Sequence, residues 1–441
     1  MRDAFNLEAW LNKHKIETVE MFVCDMNGFA RGKVQPIEKL HANDLKLPLG
    51  LLAQTITSGY VMDGNVEDRD MIVKPDPTTV RLIPWAKRPA ASVMLDCYDD
   101  GKLVSVSPRA VLGRVIERYA EKGWSPVVAP EAEFYLLKTK MTEDDPSESA
   151  DHYSVEFDQT RDPYGISELR ENDGFFSRVH DYCQQQDIKL GAFSQELGPG
   201  QFEVNFEHGC PLKAADDLFH FKRTLKQAAR EYDLCVTFLA KPLADEAGSS
   251  IHIHQSVVDG NGNNIFSNEE GGHTKLFEYF IGGLQKYMPQ ALLMFAPYAN
   301  SYRRFLSYYA SPINLEWGVE NRSVGLRAPD CPPQARRVEN RLAGSDINPY
   351  LAISATLACG YLGMVEKQLP RPAVEGSAYE APFALHRHLY GSLDALQNSD
   401  PLREVLGDEF VTLLCAVKAL EYQEFQARVT DWERDDLVRM L

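Results

Sequence analysis

The chain has 441 residues, 44% hydrophobic and 25% charged, with a formal net charge of −18. That length exceeds what one core usually organises and predicts two domains, while the composition excludes disordered and fibrous classes. The negative charge disfavours nucleic acid and anionic membrane surfaces and would concentrate cations, either metal ions or cationic substrates. No apolar run reaches the roughly 18 residues of a membrane span. Residues 1–15 carry Asp3 and Glu8 in an amphipathic pattern instead of a signal peptide's apolar centre. The eight cysteines are scattered without a C-x-x-C pair, so the expectation is a cytoplasmic protein with reduced thiols and no zinc cluster.

In chain order, Asn6 can cap a short helix carrying Leu7, Trp10 and Leu11. Residues 18–24 and 30–35 read as strands joined through Asp25-Met26-Asn27-Gly28, a hairpin signal. Extended pieces follow at 70–74, 80–83 and 92–97. The first 105 residues thus form a small, strand-rich α+β domain, followed by a large one over 106–441. Ser107 and Pro108 open a helix with an apolar stripe at Val111, Leu112, Val115, Ile116 and Tyr119, ended by Gly123. Residues 127–137 read as a buried strand bearing Glu131 and Glu133 on one side. Residues 141–154 read as a polar surface loop. Strands at 191–196 and 201–207 carry Glu196 near their turn, and Glu203, Asn205 and Glu207 on one face. Helices are expected at 211–232, 275–288, 349–366 and 408–426, and extended pieces at 235–240 and 248–254. His252 and His254 share a face of the last.

Adjacent buried carboxylates resist ionisation unless cations hold them. Glu131, Glu133, Glu196, Glu203 and Glu339 with His252 form a donor set suited to Mg2+ or Mn2+ more than to zinc. Arg303, Arg304, Arg322, Arg327, Arg336, Arg337 and Arg341 supply planar forks for phosphate or carboxylate. Metals with arginines point to phosphoryl chemistry, although no Walker loop is present. A web of surface ion pairs is the competing reading.

The order of motifs carries more. Pro130-Glu131-Ala132-Glu133-Phe134 is followed by Gln195-Glu196, Gly200-Gln201-Phe202-Glu203, and Lys241-Pro242 with Gly248-Ser249-Ser250-Ile251-His252-Ile253-His254. Then come Asn300-Ser301-Tyr302-Arg303-Arg304, Asn321-Arg322-Ser323 with Arg327, and Arg337-Val338-Glu339-Asn340-Arg341. This succession, over essentially the whole chain, resembles the glutamine synthetase superfamily, most of all its γ-glutamylpolyamine synthetase branch. The resemblance implies a small N-terminal β-grasp-like domain and a large glutamine-synthetase-type catalytic domain with a curved antiparallel sheet. It also implies active sites between subunits of stacked hexameric rings, commonly a dodecamer. The reaction implied is phosphorylation of the glutamate γ-carboxylate by ATP, then displacement of phosphate by a nitrogen nucleophile. By this resemblance Glu133, Glu196 and Glu203 hold one metal, and Glu131, His252 and Glu339 a second. Arg304 and Arg341 clamp glutamate, whose ammonium meets the backbone around Gly248. Arg322, Arg327 and Arg337 face phosphate, with His254 and Ser256 near the nucleotide.

The sequence departs from the family in two places. True glutamine synthetases trap ammonium with an Asp in a Phe-Asp-Gly-Ser-Ser motif and a Glu in a Tyr-Glu-Ala-Pro motif. Here Ile56 stands within a residue or two of the first, and Ala310, in Tyr308-Tyr309-Ala310-Ser311-Pro312, replaces the second. Ala247 also stands where the family often has Asn. Loss of both acids predicts an organic amine as nucleophile, and the acidic charge favours a di- or polyamine such as putrescine, spermidine or cadaverine. Tyr60, Tyr302, Tyr308, Tyr309 and Trp317 are candidates to line its channel through cation–π contacts, with packing of a flap as the alternative. A protonated amine still needs a base, and Glu316 and Glu320 are near in sequence. Ammonia-dependent glutamine synthetase and a catalytically silent structural subunit are the other readings. Tyr390, near a position nucleotidylated in some relatives, lacks their lead-in sequence and reads as a loop residue.

Overall fold

The computed structural model describes residues 5–40, 45–61, 69–141, 153–156, 161–306 and 310–441. Most of the expected loop at 141–154 lies outside them, as do Tyr308 and Tyr309. Asn6 caps the first helix, Leu7–Lys13, its side chain accepting from the Ala9 N–H. The small sheet comprises β1 (Thr18–Cys24), β2 (Ala30–Pro36), β3 (Lys46–Pro48), β4 (Asp70–Pro75), β5 (Arg81–Leu82), β6 (Ala90–Asp99) and β7 (Lys102–Leu103). Its order is β2-β1-β6-β4-β3, with β5 and β7 also on β6, and β1 runs parallel to β6. The β1–β2 turn forms because Asp25 Oδ1 accepts from the Asn27 and Phe29 N–H groups while Gly28 takes φ +82°.

β1 is covered on both sides. Val19, Met21 and Val23 enter a core private to the small sheet, whereas Phe22 and Cys24 join the main core. Alternation on a single strand therefore fixes the small sheet against the main core. The expected boundary at 105/106 falls between β7 and the helix Pro108–Ala120.

The large sheet contains β8 (Ser125–Met141), β9 (Tyr153–Glu156), β10 (Leu190–Gln195), β11 (Gln201–Phe206), β12 (Leu234–Thr237), β13 (Ile251–Val258), β14 (Trp317–Val319), β15 (Leu326–Ala328) and β16 (Val338–Asn340). Its order is β10-β11-β8-β13-β16-β15-β14, with β9 and β12 also on β8. Every pairing in it is antiparallel except β14 with β15. The fold is thus the expected α+β type. The helix Pro349–Glu366, capped by Asn348, is apolar all round and buried along nearly its whole length. It packs against Lys275–Tyr287 and Pro108–Ala120. Helices at Asp173–Gln185, Leu389–Gln397 and Asp400–Leu406 were not evident from periodicity, and Tyr390 lies in the second of these instead of a loop.

Arg109, buried at the start of the Pro108–Ala120 helix, donates to Asp76 at 2.7 Å, Asp96 at 3.0 Å and Asp216 at 3.3 Å. Tyr350 donates to the same Asp216 at 2.6 Å. Replacing Arg109 by Met leaves three carboxylates facing a missing cation, and should lower unfolding stability by about 3–5 kcal/mol in urea titrations. The exposed Arg170–Asp173 pair is the control, and Arg170→Met should change stability by less than about 1 kcal/mol.

Candidate active site

The site forms from strand register. On one face, Glu203 of β11 stands opposite Glu133 of β8, and His252 of β13 opposite Glu131. Further along, His254 opposes Glu339 of β16, and Arg327 of β15 opposes Glu339. One row therefore runs from acids through histidines to acids and arginines. Like charges directly opposite across a strand pair are destabilising, so the Glu133–Glu203 pair needs a compensating charge.

Burial shows the strain. Glu133 is pushed up to about 7 by burial, with the neighbouring Glu196 and Glu203 carboxylates adding to it and His252 opposing. Glu196 is likewise pushed up to about 7 by burial and by Glu203. Glu203 rises for the same first cause. In Glu131 burial is outweighed by hydrogen bonds from His252 and His254, which hold it far below the usual carboxylate range. Glu339, 1% exposed, is held down at about 2 because Arg341 and the histidines overcome its burial.

These groups fit divalent cations. Ligand atoms of Glu131, Glu203 and His252 lie within 4.8 Å of one another, as do those of Glu131, His254 and Glu339. The predicted residues converge, but their tightest groupings differ from the two expected triads, in that Glu131 belongs to both and Glu133 to neither. Glu133 Oε2 accepts from the Ser250 N–H at 2.7 Å and from Gln201 at 3.3 Å. The tautomer separates the two histidines. Arg337 Nε donates to His254 Nδ1 at 3.1 Å, so the hydrogen of neutral His254 sits on Nε2, which lies 2.9 Å from Glu131. Neither nitrogen then has a lone pair to spare for a metal. His252 Nε2 meets the Ser250 hydroxyl at 2.9 Å; in the tautomer that donates there, Nδ1 gives up its hydrogen bond to Glu131 and turns a lone pair toward Glu131 and Glu339.

The cationic half is anchored on Glu339. Arg327 reaches its Oε2 at 2.7 Å and Arg341 its Oε1 at 2.5 Å. Arg304, fully buried, donates to the Leu342 carbonyl; burial pulls it down to about 10, and it remains charged. The Nε–H groups of Arg304, Arg327 and Arg341 are buried without a hydrogen-bond partner, leaving donors for an anion. Gly248 has to be glycine: a Cβ there would lie 2.4 Å from Arg304 Cγ and 2.7 Å from the Ala240 carbonyl oxygen. Arg322 is exposed, and its Nη1 donates to the Tyr164 hydroxyl at 3.0 Å. Tyr164, at φ +62°, donates its N–H to Gln195, the residue before Glu196. It is a site neighbour that no sequence pattern flagged, since it stands alone in a polar loop. Ser256 lies on the His252/His254 face of β13.

Other expected residues lie elsewhere. Tyr302 and Trp317 are not channel walls: both are buried in the main core, and the Trp317 indole donates to the Arg371 carbonyl at 2.7 Å. Glu316 is paired with Arg371 and Glu320 with Arg327. The Asp330 N–H and Arg327 hold Glu320 below the carboxylate range, which makes it a weak base. Ala310 is exposed at φ +54°, and Ala247 is buried, its carbonyl accepting from the Tyr135 hydroxyl at 2.6 Å. Ile56, 51% exposed, lines a separate cavity of about 940 Å3 that contains none of the acids or arginines above. Within one chain, Ile56 is not brought to the acidic face.

A family model described as glutamine synthetase, catalytic domain, matches residues 105–437. The chain is 31% identical to a glutamate–isopropylamine ligase of Pseudomonas sp over 98% of this chain and 97% of the relative. It is 32% identical to the gamma-glutamylputrescine synthetase PuuA of Escherichia coli K12, covering 94% and 90%. A glutamine synthetase of Pyrococcus abyssi is 31% identical, covering 94% and 95%. Among solved structures, one titled apo GmaS without ligand superposes with a TM-score of 0.83 at 25% identity, covering 99% and 100%.

The raised carboxylates set a pH dependence. Glu133 and Glu196 ionise near 4.3 in the unfolded chain but near 7 when folded. Without metal, stability therefore falls as pH rises from about 4.3 to 7 and stays low above that. Cations bind the ionised forms, so the increase in Tm on adding Mn2+ should grow by several degrees between about pH 6 and pH 8. A constant increment across that range would contradict the assignment. Glu203→Gln should reduce it at every pH.

Proposed function

The chain belongs to the glutamine synthetase family and is accordingly an ATP-dependent carbon–nitrogen ligase; from that premise we propose that it joins the γ-carboxylate of glutamate to an organic amine. The observation that carries this reading is the loss of both acids at the nucleophile positions, Ile56 and Ala310. Without them neither position carries an acid of its own to hold a small ammonium ion, and an alkyl group gains apolar surface. The net charge of −18 favours a cationic di- or polyamine such as putrescine, spermidine or cadaverine. A small branched monoalkylamine is the second reading, supported by the apolar character of Ile56 and by the named substrate of the Pseudomonas relative.

In this mechanism Arg304 and Arg341 grip glutamate through their free Nε–H donors, with the Gly248 backbone against its ammonium. A γ-carboxylate oxygen attacks the terminal phosphorus of ATP, and the bond to ADP breaks. Arg322, Arg327 and Arg337 face the phosphoryl oxygens, with His254 and Ser256 beside the nucleotide. The amine, having released its ammonium proton to solvent, attacks the acyl carbon of γ-glutamyl phosphate with its lone pair; phosphate departs, and phosphate or solvent takes the second proton from the nitrogen. Glu131, Glu133, Glu196, Glu203, His252 and Glu339 would hold Mg2+ or Mn2+, which neutralise the charge that keeps a carboxylate from approaching a phosphate. Positioning and charge neutralisation supply most of the catalysis. Because Ile56 stands away from the sheet-face acids of its own chain, it would serve the site of a neighbouring copy. That arrangement is in keeping with stacked hexameric rings in a cytoplasmic enzyme. Among the described residues no helix is long and apolar enough to cross a membrane.

Coupled ADP release with ATP, Mg2+ and glutamate tests the reading across ammonium, putrescine, spermidine, a monoalkylamine and an aromatic amine. Turnover with an organic amine and little with ammonium is expected. Strong turnover with ammonium alone would overturn it, and none with any amine would mark a silent subunit. Restoring both acids, as Ile56→Asp with Ala310→Glu, should lower the KM for ammonium by about tenfold and depress alkylamine turnover.

A further inference from the structure

Ile56 lies in a loop, residues 54–60, closed on itself. The Thr55 N–H donates to Gly59 at 2.8 Å, the Gly59 N–H to Thr55 Oγ1 at 2.8 Å, and the Ser58 N–H to Thr55 at 3.0 Å. Nothing in that closure fixes where the loop sits on the body of the protein. Its seat comes from the distant helix Asp408–Gln426. Glu421 Oε1 accepts from the Ile56 N–H at 2.8 Å and from Asn27 Nδ2 at 2.7 Å, while Glu424 accepts from the Thr57 hydroxyl.

Glu421 is itself held. Lys418, 1% exposed, donates to Glu421 Oε2 at 2.9 Å and to Asn27 Oδ1 at 2.5 Å, and lies 4.1 Å from the centre of the Tyr298 ring. Asn27 fills all four of its positions, because Nδ2 also donates to the Gln54 carbonyl at 2.9 Å and Oδ1 also accepts from the Tyr298 hydroxyl at 3.0 Å. A buried lysine and a fully engaged amide fix the Glu421 carboxylate at one place and orientation. Tyr298 opens the short turn Ala299–Arg304, which ends in a residue proposed to clamp glutamate. The loop is thus tied, through Asn27, to the turn that carries Arg304.

We propose that Glu421, set by Lys418 and Asn27, is a positioning residue that fixes the Ile56 loop where it meets the amine, and so sets the affinity for amine. The inference rests on the reading of Ile56 as a wall of the amine site.

The test uses the full chain in its native assembly, with putrescine and a monoalkylamine varied at saturating ATP and glutamate. Glu421→Ala should raise the KM for amine about tenfold while kcat and the KM for glutamate stay within about twofold. Glu421→Gln keeps an acceptor for the Ile56 N–H and should recover most of that loss. Thr57→Val, on the exposed side of the loop, should raise the amine KM about threefold. It decides the matter if Glu421→Ala does not fold. Parallel changes in amine KM, glutamate KM and kcat without recovery in Glu421→Gln would make the residue merely structural and overturn the inference. An unchanged amine KM in these variants would overturn it too, provided Ile56→Ala shifts that KM. If Ile56→Ala leaves the amine KM unchanged, the amine-site reading itself fails and the positioning role falls with it.

Discussion

Two glutamates facing each other across adjacent strands, Glu133 and Glu203, are the constraint on which the site depends. A buried sheet face does not accept opposed carboxylates for stability alone, since each raises the other's cost of ionising. Glu196 enters the same field from the end of β10. The rest of the row answers that charge. His252 and His254 approach Glu131 from β13, and β16 contributes Glu339 already neutralised by two arginines. The sheet places acids on one side and guanidinium groups on the other, with Glu339 as the shared post. Such a surface suits a transfer in which cations and arginines together surround phosphate oxygens.

Precision in that surface comes from outside it. Gly248 allows Arg304 to lie against backbone that any side chain would displace. The Ser345 hydroxyl shares its one hydrogen between the Glu133 carbonyl at 2.5 Å and the Ser250 carbonyl at 2.9 Å, tying the two strands together beside the acids. β1, buried on both faces, and Arg109, gripping three carboxylates, hold the small sheet against the large core. The Ile56 loop is then seated by the helix Asp408–Gln426. Distant parts of the sequence therefore set distances within ångströms of the proposed chemistry.

Much of this is legible in the sequence. Strand alternation announced Glu131 with Glu133 and His252 with His254, because a period of two is imposed by the pleat. Asn27-Gly28 announced the first hairpin, and the apolar residues 349–366 and 408–426 gave helices with the expected bounds. What stayed hidden has physical reasons. The helix Asp173–Gln185 begins with Asp-Gly and polar neighbours, so its aromatic anchors Phe175 and Phe176 do not stand out as a stripe. Tyr302 and Trp317 have the chemistry of a cation-binding wall, yet burial, which composition does not reveal, assigns them to the core. The division of ligands between histidines turns on a tautomer set by Arg337, a contact between strands that no motif encodes. Ile56 could be aligned with a nucleophile position, but a sequence does not say whose active site a loop serves.

The most direct test of the central claim counts the cations the acidic face holds. Titration of the metal-free protein with Mn2+, followed by electron paramagnetic resonance of the free ion, should give about two bound ions per chain, as expected of a two-metal site. Glu203→Gln and Glu339→Gln should each weaken one class of sites. Full-strength binding in both variants, or no saturable binding in the unaltered protein, would mean that the opposed glutamates are balanced by something other than metal.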